Sequence, residues 1–215
     1  MRSRVRSAVF LAFMATAAFA SASAFSQTAG DAQRGKDLAN TCLGCHGIPG
    51  YKNAYPNYSV PKLEGQHSEY IVLALQAYRS GERSHLTMHS QASTLTDQNM
   101  MDIAAYFSGQ VVSKDNNPAE GKAPDSAQVC VACHGDNGVG ITPQYPTLAG
   151  QHADYLEHAL NDYRKGGRKN AIMGTFASQI KEEDIKVLAK YYSQQKPTLE
   201  TETRPSSILT MSDKH

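Results

Sequence analysis

Apolar residues at helical spacing mark two long helices in this chain. They recur at intervals of three and four residues, which places them along one side of a helix. The first set is Tyr70, Ile71, Leu73, Ala74, Leu75, Ala77 and Tyr78, and the second is Tyr155, Leu156, Ala159, Leu160 and Tyr163. Gly166-Gly167 follows the second set and is predicted to end that helix, because glycine tolerates the backbone conformation of a C-cap.

Shorter patterns predict a helix on either side of each long one. Asp31 is a suitable N-cap for a short helix that runs toward Cys42. The last helix of each half is predicted at about residues 97–107 and 182–192. No segment alternates between apolar and polar residues well enough to predict a strand. The chain is therefore predicted to be all-α, with three helices and long loops in each half.

The second half of the chain repeats the first. "PKLEGQHSEYIVLALQAYRSGER" from Pro61 aligns with "PTLAGQHADYLEHALNDYRKGGR" from Pro146 at an offset of 85 residues. A repeat of roughly 80 residues indicates a duplicated domain, since solenoid units are much shorter. We expect one domain at 25–112 and another at 121–197, with a polar linker at 113–120. Residues 198–215 show no helical period and are expected to form a flexible tail.

The first 24 residues have the features of an export signal. Three arginines within the first six residues precede the apolar run "AVFLAFMATAAFA", and small residues follow. Cleavage is expected after Ala24, with Ala20 and Ala22 as alternatives. The apolar run has 13 residues, fewer than the roughly 20 that span a bilayer, and an uncleaved anchor is the competing interpretation. Either interpretation predicts export, and the periplasm is the expected location.

Charge and composition narrow the class of protein. Without residues 1–24 the chain has 191 residues and a formal charge of −2, compared with +1 for the whole sequence. This near-neutral balance gives no indication of nucleic-acid binding, which usually shows as a clustered basic surface. Tryptophan is absent and 40% of residues are hydrophobic. Two domains of this size would have small cores, so a bulky apolar ligand in each would help to explain their folding.

All four cysteines lie in two copies of one motif, Cys-x-x-Cys-His. Cys42, Cys45 and His46 form the first copy, and the second is Cys130, Cys133 and His134. A Cys-x-x-Cys pair alone also suits a thiol redox centre, half a zinc site or a disulfide. The histidine after the second cysteine favours covalent attachment of haem c, in which two thioether bonds hold the porphyrin and the imidazole reaches the iron. Zinc or thiol chemistry is the alternative.

A sixth iron ligand is expected on the opposite side of each haem. Met88 and Met173 occupy the same place in the repeat, and we predict that both lie in loops and bind iron. His85 and His89 flank Met88 and are rival ligands for the first haem. Histidine opposite methionine saturates the iron and raises its reduction potential relative to two nitrogen ligands. Such an iron passes single electrons, and we do not expect the protein to be an enzyme.

At this point the chain resembles the class I c-type cytochromes and, in its two-domain layout, the dihaem cytochrome c-four group. The resemblance covers roughly residues 30–195 and rests on the paired motifs, the spaced methionines and the aromatic last helices. It implies two tandem cytochrome c domains, each wrapped around one covalently attached haem. It also implies that the carbonyls of Pro61 and Pro146 accept the N–H of the ligand imidazoles.

The resemblance implies a contact between the first and last helices of each domain. Tyr106 or Phe107, and Tyr191 or Tyr192, correspond to the last-helix aromatics that pack on the first helix. Gly35 would permit this close crossing, and Ala123 at the same place in the second copy predicts a looser one.

Two further groups of residues have open roles. The tyrosines of the first-domain loop are expected to line the first haem, to lie at the domain interface or simply to pack within the loop; they are Tyr51, Tyr55 and Tyr58. His67 and His152, in the repeated "GQH", are expected to be structural.

These features predict a periplasmic dihaem cytochrome that carries single electrons between respiratory complexes. In the pattern of the family, the donor is a quinol-oxidising complex and the acceptor a terminal oxidase. The main alternative is an electron-accepting subunit of a periplasmic dehydrogenase complex. A peroxidase or gas sensor with an open iron is a third hypothesis. Peripheral association with a membrane is left open.

Overall fold

The computed structural model describes residues 29–109 and 118–202 of the 215-residue chain. The predicted export signal at 1–24, most of the predicted linker and residues 203–215 lie outside these ranges. The described residues form nine α-helices and one 3₁₀ turn. The helices are α1 (Ala32–Leu38), α2 (Leu43–His46), α3 (Ser68–Arg79), α4 (Leu86–Ser93), α5 (Asp97–Ser108), α6 (Gln128–His134), α7 (Ala153–Lys165), α8 (Ala171–Gln179) and α9 (Glu182–Ser193), and the 3₁₀ turn is Asp125–Ala127.

The predicted all-α class is confirmed. Within 29–109 and 118–202, extended pairing is limited to three isolated antiparallel bridges. Asp31 caps α1 by accepting from the backbone N–H groups of Gln33 and Arg34. Gly166 ends α7 in the left-handed conformation at φ +81°. Helices α5 and α9 match the two predicted last helices to within one residue at each end. No helix in the described part of the chain is long and apolar enough to cross a membrane.

The prediction of three helices in each copy is wrong, because the structure contains additional short ones. Helices α2 and α6 carry the cysteine motifs, and α4 and α8 contain Met88 and Met173, which the sequence had placed in loops. Helices α4 and α8 have small and polar residues where an apolar stripe would be expected. They begin because a side chain caps each of them: His85 accepts from the N–H of Met88, and Asn170 accepts from the N–H of Met173.

Helices α1 and α5 cross closely in the first domain, as the resemblance implied. A Cβ atom on Gly35 would lie 1.9 Å from the carbonyl oxygen of Asp102 and 3.0 Å from the Cβ of Tyr106. No side chain larger than hydrogen fits at this point. The crossing is reinforced by Asp102, whose carboxylate accepts from the backbone N–H of Asp31 at 2.8 Å and from Arg34 at 2.5 Å.

The second domain does not reproduce this crossing. Ala123, which aligns with Gly35, lies outside any helix and packs against the apolar core. Pro124 follows it, and the residue before a proline is disfavoured from helical conformation. The chain then makes the 3₁₀ turn Asp125–Ala127 and continues directly into α6. The sequence predicted a looser helix crossing at Ala123. Residues 118–124 of the second domain instead form no helix before the 3₁₀ turn, so there is no such crossing.

Each domain has its own apolar core between its long helix and its last helix. The core of the first domain includes Ile71, Leu75, Met100, Ile103 and Phe107, and that of the second includes Leu156, Ile185, Leu188, Tyr191 and Tyr192. Half-buried Cys42 and Met88 pack against the first core, and Cys130 packs against the second. The cysteine motifs are thereby placed at the edges of the two cores.

The two domains meet in an interface with approximate twofold symmetry. Contacts related by the offset of 85 residues appear in reciprocal form. Ser84 N–H donates to the carbonyl of Gly167 at 3.0 Å, and Lys169 N–H donates to the carbonyl of Glu82 at 2.7 Å. Arg83 and Arg168 form an isolated antiparallel bridge between these two bonds. The same surface of each copy therefore faces the other, as in an isologous dimer.

The segment after α9 differs from the flexible tail that the sequence predicts. The described residues 198–202 run back to the first domain, where Glu200 N–H donates to the carbonyl of Glu64 at 3.0 Å. Leu199 is 0% exposed, and the hydroxyl of Tyr106 donates to Glu202. Burial of one leucine and pairing of the backbone hold a segment that has no helical pattern of its own.

Candidate functional site

Each cysteine motif is a single helical turn that presents two thiols and an imidazole together. Cys42 is the N-cap of α2, and Cys45 and His46 lie within it. In the second domain, α6 contains Cys130, Cys133 and His134. Residues three apart are neighbours on a helix surface, so both thiols of a motif face the same region. The Cys-x-x-Cys-His spacing therefore places the two thiols of each motif on one side of a binding site.

The structure favours neither a disulfide nor a zinc site at these motifs. No disulfide joins the two cysteines of either motif. Across the described ranges, no group of three or more His, Cys, Asp and Glu residues is arranged to hold a metal ion. Burial raises the pKa of the Cys42 and Cys130 thiols above the ordinary value. A reactive redox dithiol needs the opposite shift, because its thiolate is the nucleophile.

The two motif histidines are oriented by backbone carbonyls, as predicted. His46 Nδ1 lies 2.8 Å from the carbonyl oxygen of Pro61, and His134 Nδ1 lies 3.0 Å from that of Pro146. The carbonyl accepts, so Nδ1 carries the proton and Nε2 keeps its lone pair. Burial lowers the pKa of both imidazoles, which the hydrogen bonds to Pro61 and Pro146 only partly oppose. Each ring is therefore neutral near pH 7, with Nε2 able to bind a metal.

A cavity of about 370 Å³ adjoins the second motif. Its wall includes Cys130, Cys133 and His134 from the motif and Met173 from α8. Aliphatic and aromatic side chains provide most of the remaining wall; among them are Leu148, Leu156, Leu160, Ile180, Leu188 and Tyr192. Two thiols, one imidazole and one thioether around an apolar space fit a flat apolar group with a metal at its centre. The residues present thus fit a haem.

His85 is already engaged on both ring nitrogens. Its Nδ1 accepts from the N–H of Met88 at 3.3 Å, so the proton of the neutral ring is on Nε2, which lies 3.2 Å from Oδ1 of Asn53. Burial lowers the pKa of His85, which favours this neutral form. The role of His85 is to cap α4, as Asn170 caps α8. The sequence signal was available, since His85 and Asn170 align in the repeat.

His89 points its Nδ1 at the carbonyl oxygen of Tyr78, 2.8 Å away. Its other ring nitrogen lies 3.5 Å from the hydroxyl of Ser93, one turn further along α4. The residue as a whole is exposed. These contacts hold His89 on the outer side of α4.

The tyrosines of the first-domain loop have different positions. Tyr58 is buried at the domain interface, where its ring stacks on His158 with 3.9 Å between centroids and 19° between planes. Tyr51 is exposed, and Tyr55 is 96% exposed. Of the three roles left open, the interface applies to Tyr58.

His67 and His152 are the N-caps of α3 and α7, although neither side chain accepts a capping bond. His67 Nε2 lies 3.3 Å from the carbonyl oxygen of Gly140 in the other domain. The predicted structural role is confirmed for His67.

The sequence analysis missed the glutamines that precede these histidines. Gln66 donates to the carbonyl of Thr147 at 3.0 Å and accepts from its N–H at 2.9 Å. Gln151 makes the same pair of bonds to Lys62, each at 3.0 Å. Both glutamines belong to the repeated "GQH", and their identity in the two copies was the signal that could have found them.

The sequence profile of the family described as Cytochrome c matches this chain twice, over residues 32–109 and 118–196. The chain belongs to the cytochrome c family. Cytochrome c4 of Pseudomonas aeruginosa is 37% identical to it over 179 residues, which cover 76% of this chain and 88% of that protein. A thiosulfate dehydrogenase electron acceptor of Stutzerimonas stutzeri is 32% identical over 174 residues, covering 72% and 79% respectively.

Solved structures give the same result for the fold. The crystal structure of reduced recombinant cytochrome c4 from Pseudomonas stutzeri matches with a TM-score of 0.62 at 33% identity, covering 78% of this chain and 100% of that one. The predicted resemblance to dihaem class I cytochromes of the cytochrome c-four group is confirmed, as are the two tandem cytochrome c domains. This cytochrome has two covalently attached haem c groups, one at each Cys-x-x-Cys-His motif, and is a dihaem electron carrier.

Proposed function

We propose that this cytochrome carries single electrons between respiratory complexes in the periplasm, with histidine and methionine as the axial ligands of both irons. The thioether-forming residues are Cys42 and Cys45 in the first domain and Cys130 and Cys133 in the second. The ligand pairs are His46 with Met88 and His134 with Met173. The observation that carries the proposal is the shared cavity of His134, Met173 and the second thiol pair.

The histidines act through their hydrogen bonds to the proline carbonyls. The bonds from His46 to Pro61 and from His134 to Pro146 fix the ring plane and the tautomer, and they make Nε2 more basic. Each ring would therefore hold an iron through Nε2 in one fixed orientation. A ligand that does not rotate keeps the rearrangement that accompanies electron transfer small.

The methionines act from capped helices. The N–H of Met88 is held by His85 and that of Met173 by Asn170, which fixes the first turn of α4 and of α8. Met173 faces the apolar cavity from α8, so its thioether sulfur needs no hydrogen-bond partner. A bound haem would supply one-electron chemistry here, and a methionine ligand would raise its reduction potential relative to two nitrogen ligands.

Apolar side chains form most of the cavity wall and would limit the access of water to a bound haem. Side chains such as Leu156, Leu160 and Leu188 surround the space next to the motif histidine. A histidine and a methionine holding each iron would leave no coordination position for a substrate, which supports an electron carrier rather than an enzyme. The residues of this site bind, orient and shield the redox group.

Location and partners follow from the sequence and the family. We propose export by the signal at residues 1–24, with domains at 25–112 and 121–197. A quinol-oxidising complex is the proposed donor and a terminal oxidase the proposed acceptor. The mass of the purified protein tests the cleavage of the signal: it should equal the mass of residues 25–215 plus two haems.

A second candidate function is that of an electron-accepting subunit of a periplasmic dehydrogenase complex. It is favoured by the 32% identity with a thiosulfate dehydrogenase electron acceptor. Purification from the native cells without detergent or high salt separates the two functions. A free carrier elutes alone, whereas a subunit elutes together with a larger catalytic chain.

Optical and magnetic spectroscopy of the ferric protein tests the ligands. We expect two methionine–iron charge-transfer signals for each molecule and no binding of carbon monoxide to the reduced native protein. A bis-histidine signal in place of one methionine signal would contradict the assignment of Met88 or Met173. Carbon monoxide binding would show an open iron and would support the peroxidase or sensor hypothesis.

A further inference from the structure

Two arginines at the domain interface are almost fully buried. Arg83 is 8% exposed and Arg168 is 5% exposed. They occupy the same place in the two copies and form the antiparallel bridge at the centre of the interface. A guanidinium group keeps its proton in proteins, so both are cations. The interface therefore holds two buried positive charges.

Arg168 has a carboxylate partner. Its Nε lies 3.6 Å from Oδ2 of Asp162, and its Nη2 donates to the hydroxyl of Tyr155 at 3.3 Å. The guanidinium also lies over the rings of Tyr155 and Tyr163, at 5.3 Å and 5.7 Å from their centroids. A negative charge and two aromatic faces thus surround this cation.

Arg83 has the same aromatic partners without the carboxylate. Its Nη2 donates to the hydroxyl of Tyr70 at 3.0 Å, and its guanidinium lies 5.4 Å and 5.3 Å from the ring centroids of Tyr70 and Tyr78. The repeat partner of Asp162 is Ala77. Among the ion pairs of residues 29–109 and 118–202, none involves Arg83. Of these two buried cations, Arg168 has a carboxylate partner within the described residues and Arg83 has none.

A buried charge without a counter-ion is strongly destabilising, so Arg83 needs an anion from elsewhere. The cavity next to the second cysteine motif supplies the place. Arg83 lines that cavity together with Tyr70, Leu73, Ala77 and Glu82 of the first domain, and Arg168 of the second domain, which is already paired with Asp162, lines it too. The same cavity contains Cys130, Cys133 and His134. The unpaired cation of one domain therefore borders the haem site of the other.

We propose that the guanidinium of Arg83, in the first domain, binds a carboxylate side chain of the haem attached to the second domain. Haem carries propionate groups at one edge, and a guanidinium binds such a carboxylate through two parallel N–H donors. The bond to the Tyr70 hydroxyl uses Nη2, so other N–H donors of the guanidinium are left for this contact. The site of the second haem is then complete only when the first domain is in place.

This contact has a defined electrostatic consequence. A ferric haem has one positive charge more than a ferrous haem, so a nearby cation favours the ferrous form. Replacing Arg83 with a neutral residue removes that cation and leaves the carboxylate uncompensated. Both changes stabilise the ferric form, and the reduction potential of the second haem falls. On this proposal the first haem is affected less, because the contact is made to the second haem.

The first test is a redox titration of the holoprotein followed by NMR. Haem methyl resonances are assigned to a domain by their contacts with side chains of that domain, such as Leu156 for the second. In Arg83→Gln we expect the ferric-to-ferrous ratio of the second haem to rise about tenfold at fixed potential, which is about 59 mV for one electron. Arg83→Lys keeps the charge and should restore most of this shift.

The matched control is Arg79→Gln, which removes the same charge near the end of α3, where half-buried Arg79 pairs with exposed Asp97 at 2.6 Å. It should leave both potentials unchanged. The proposal is overturned if Arg83→Gln lowers the reduction potential of the first haem more than that of the second, or lowers neither.

The second test does not depend on any variant. A crystal structure of the holoprotein should place the Arg83 guanidinium within hydrogen-bond distance of a carboxylate of the second-domain haem, and contact with the first-domain haem or with none overturns the proposal.

Discussion

Gln66 and Gln151 make the same two hydrogen bonds in opposite directions across the domain interface. Gln66 clamps the backbone of Thr147, and Gln151 clamps the backbone of Lys62. Thr147 and Lys62 are themselves related by the offset of 85 residues. Each glutamine therefore satisfies one donor and one acceptor of the other domain. Together the two glutamines fix the relative position of the two domains and therefore of the two haem sites.

Gln66→Ala should weaken this interface. The change leaves the buried N–H and carbonyl of Thr147 without partners, which costs about 1–3 kcal/mol. Unfolding of the holoprotein by guanidinium chloride measures the loss. Small-angle scattering of Gln66→Ala/Gln151→Ala should also show a larger radius of gyration, because both clamps are gone. Gln91→Ala, at an exposed position of α4, is the control and should change neither quantity; equal losses for Gln66→Ala and the control would contradict the interpretation.

The repeat predicted much of this architecture, because a duplicated sequence preserves what both copies need. The long helices, the last helices and the proline–histidine bonds were all accessible from periodicity, motif and resemblance. Helices α4 and α8 were not, since "LTMHSQAS" and "AIMGTFASQ" lack an apolar stripe. Their stability comes from side-chain caps and from packing against the domain. Hydrophobic periodicity detects neither contribution.

The sequence also did not predict which residues make contacts between the domains. Identical residues in two copies show that a position matters, but they do not show whether its partner is in the same domain or in the other. Gln66 and Arg83 act across the interface, whereas His46 and Pro61 act within their own domain. That difference depends on how two complete domains pack. It becomes visible only in the folded structure.

Asp102→Asn should destabilise the first domain in a pH-dependent way. Burial alone would raise the pKa of Asp102, but hydrogen bonds from Asp31 N–H, Gln98 and Arg34 outweigh it and lower the pKa below 3.8. A carboxylate with a lowered folded-state pKa stabilises the protein above its unfolded pKa, and this stabilisation is lost as the pH falls through the folded-state value. We expect Asp102→Asn to cost about 1.5–3 kcal/mol at about pH 7.

The free energies of unfolding of Asp102→Asn and of the original protein, measured as a function of pH, test this prediction. The difference between them should shrink as the pH falls below 3.8. Asp97→Asn is the control on the same helix, since Asp97 is exposed and its pair with Arg79 is at the surface. It should cost less than about 1 kcal/mol. A difference between Asp102→Asn and the original protein that stays constant down to low pH would contradict the role assigned to the carboxylate.

Leu199→Ala should show that the segment after α9 is part of the fold. The side chain is 0% exposed, and it is anchored beside the backbone bond from Glu200 to Glu64 of the first domain. Removing a fully buried leucine side chain costs about 2–5 kcal/mol. The free energy of unfolding measures the loss. Leu86→Ala is the control, because Leu86 is 83% exposed and should change stability by about 0.5 kcal/mol or less. A flexible segment would instead give the same small change for both variants.

His85→Asn separates the capping role of His85 from a ligand role. Asparagine stands at the equivalent position in the second domain, where Asn170 accepts from the N–H of Met173 at 2.9 Å. The substitution therefore preserves the cap of α4 and removes the imidazole. If Met88 binds the first iron, both methionine–iron signals of the ferric protein persist in His85→Asn. The ferric-to-ferrous ratio of the first haem at a fixed potential then changes by less than about twofold. Met88→Leu is the complementary variant and should abolish one of the two signals. If His85 were the ligand, His85→Asn would change the spectrum of one haem and Met88→Leu would not.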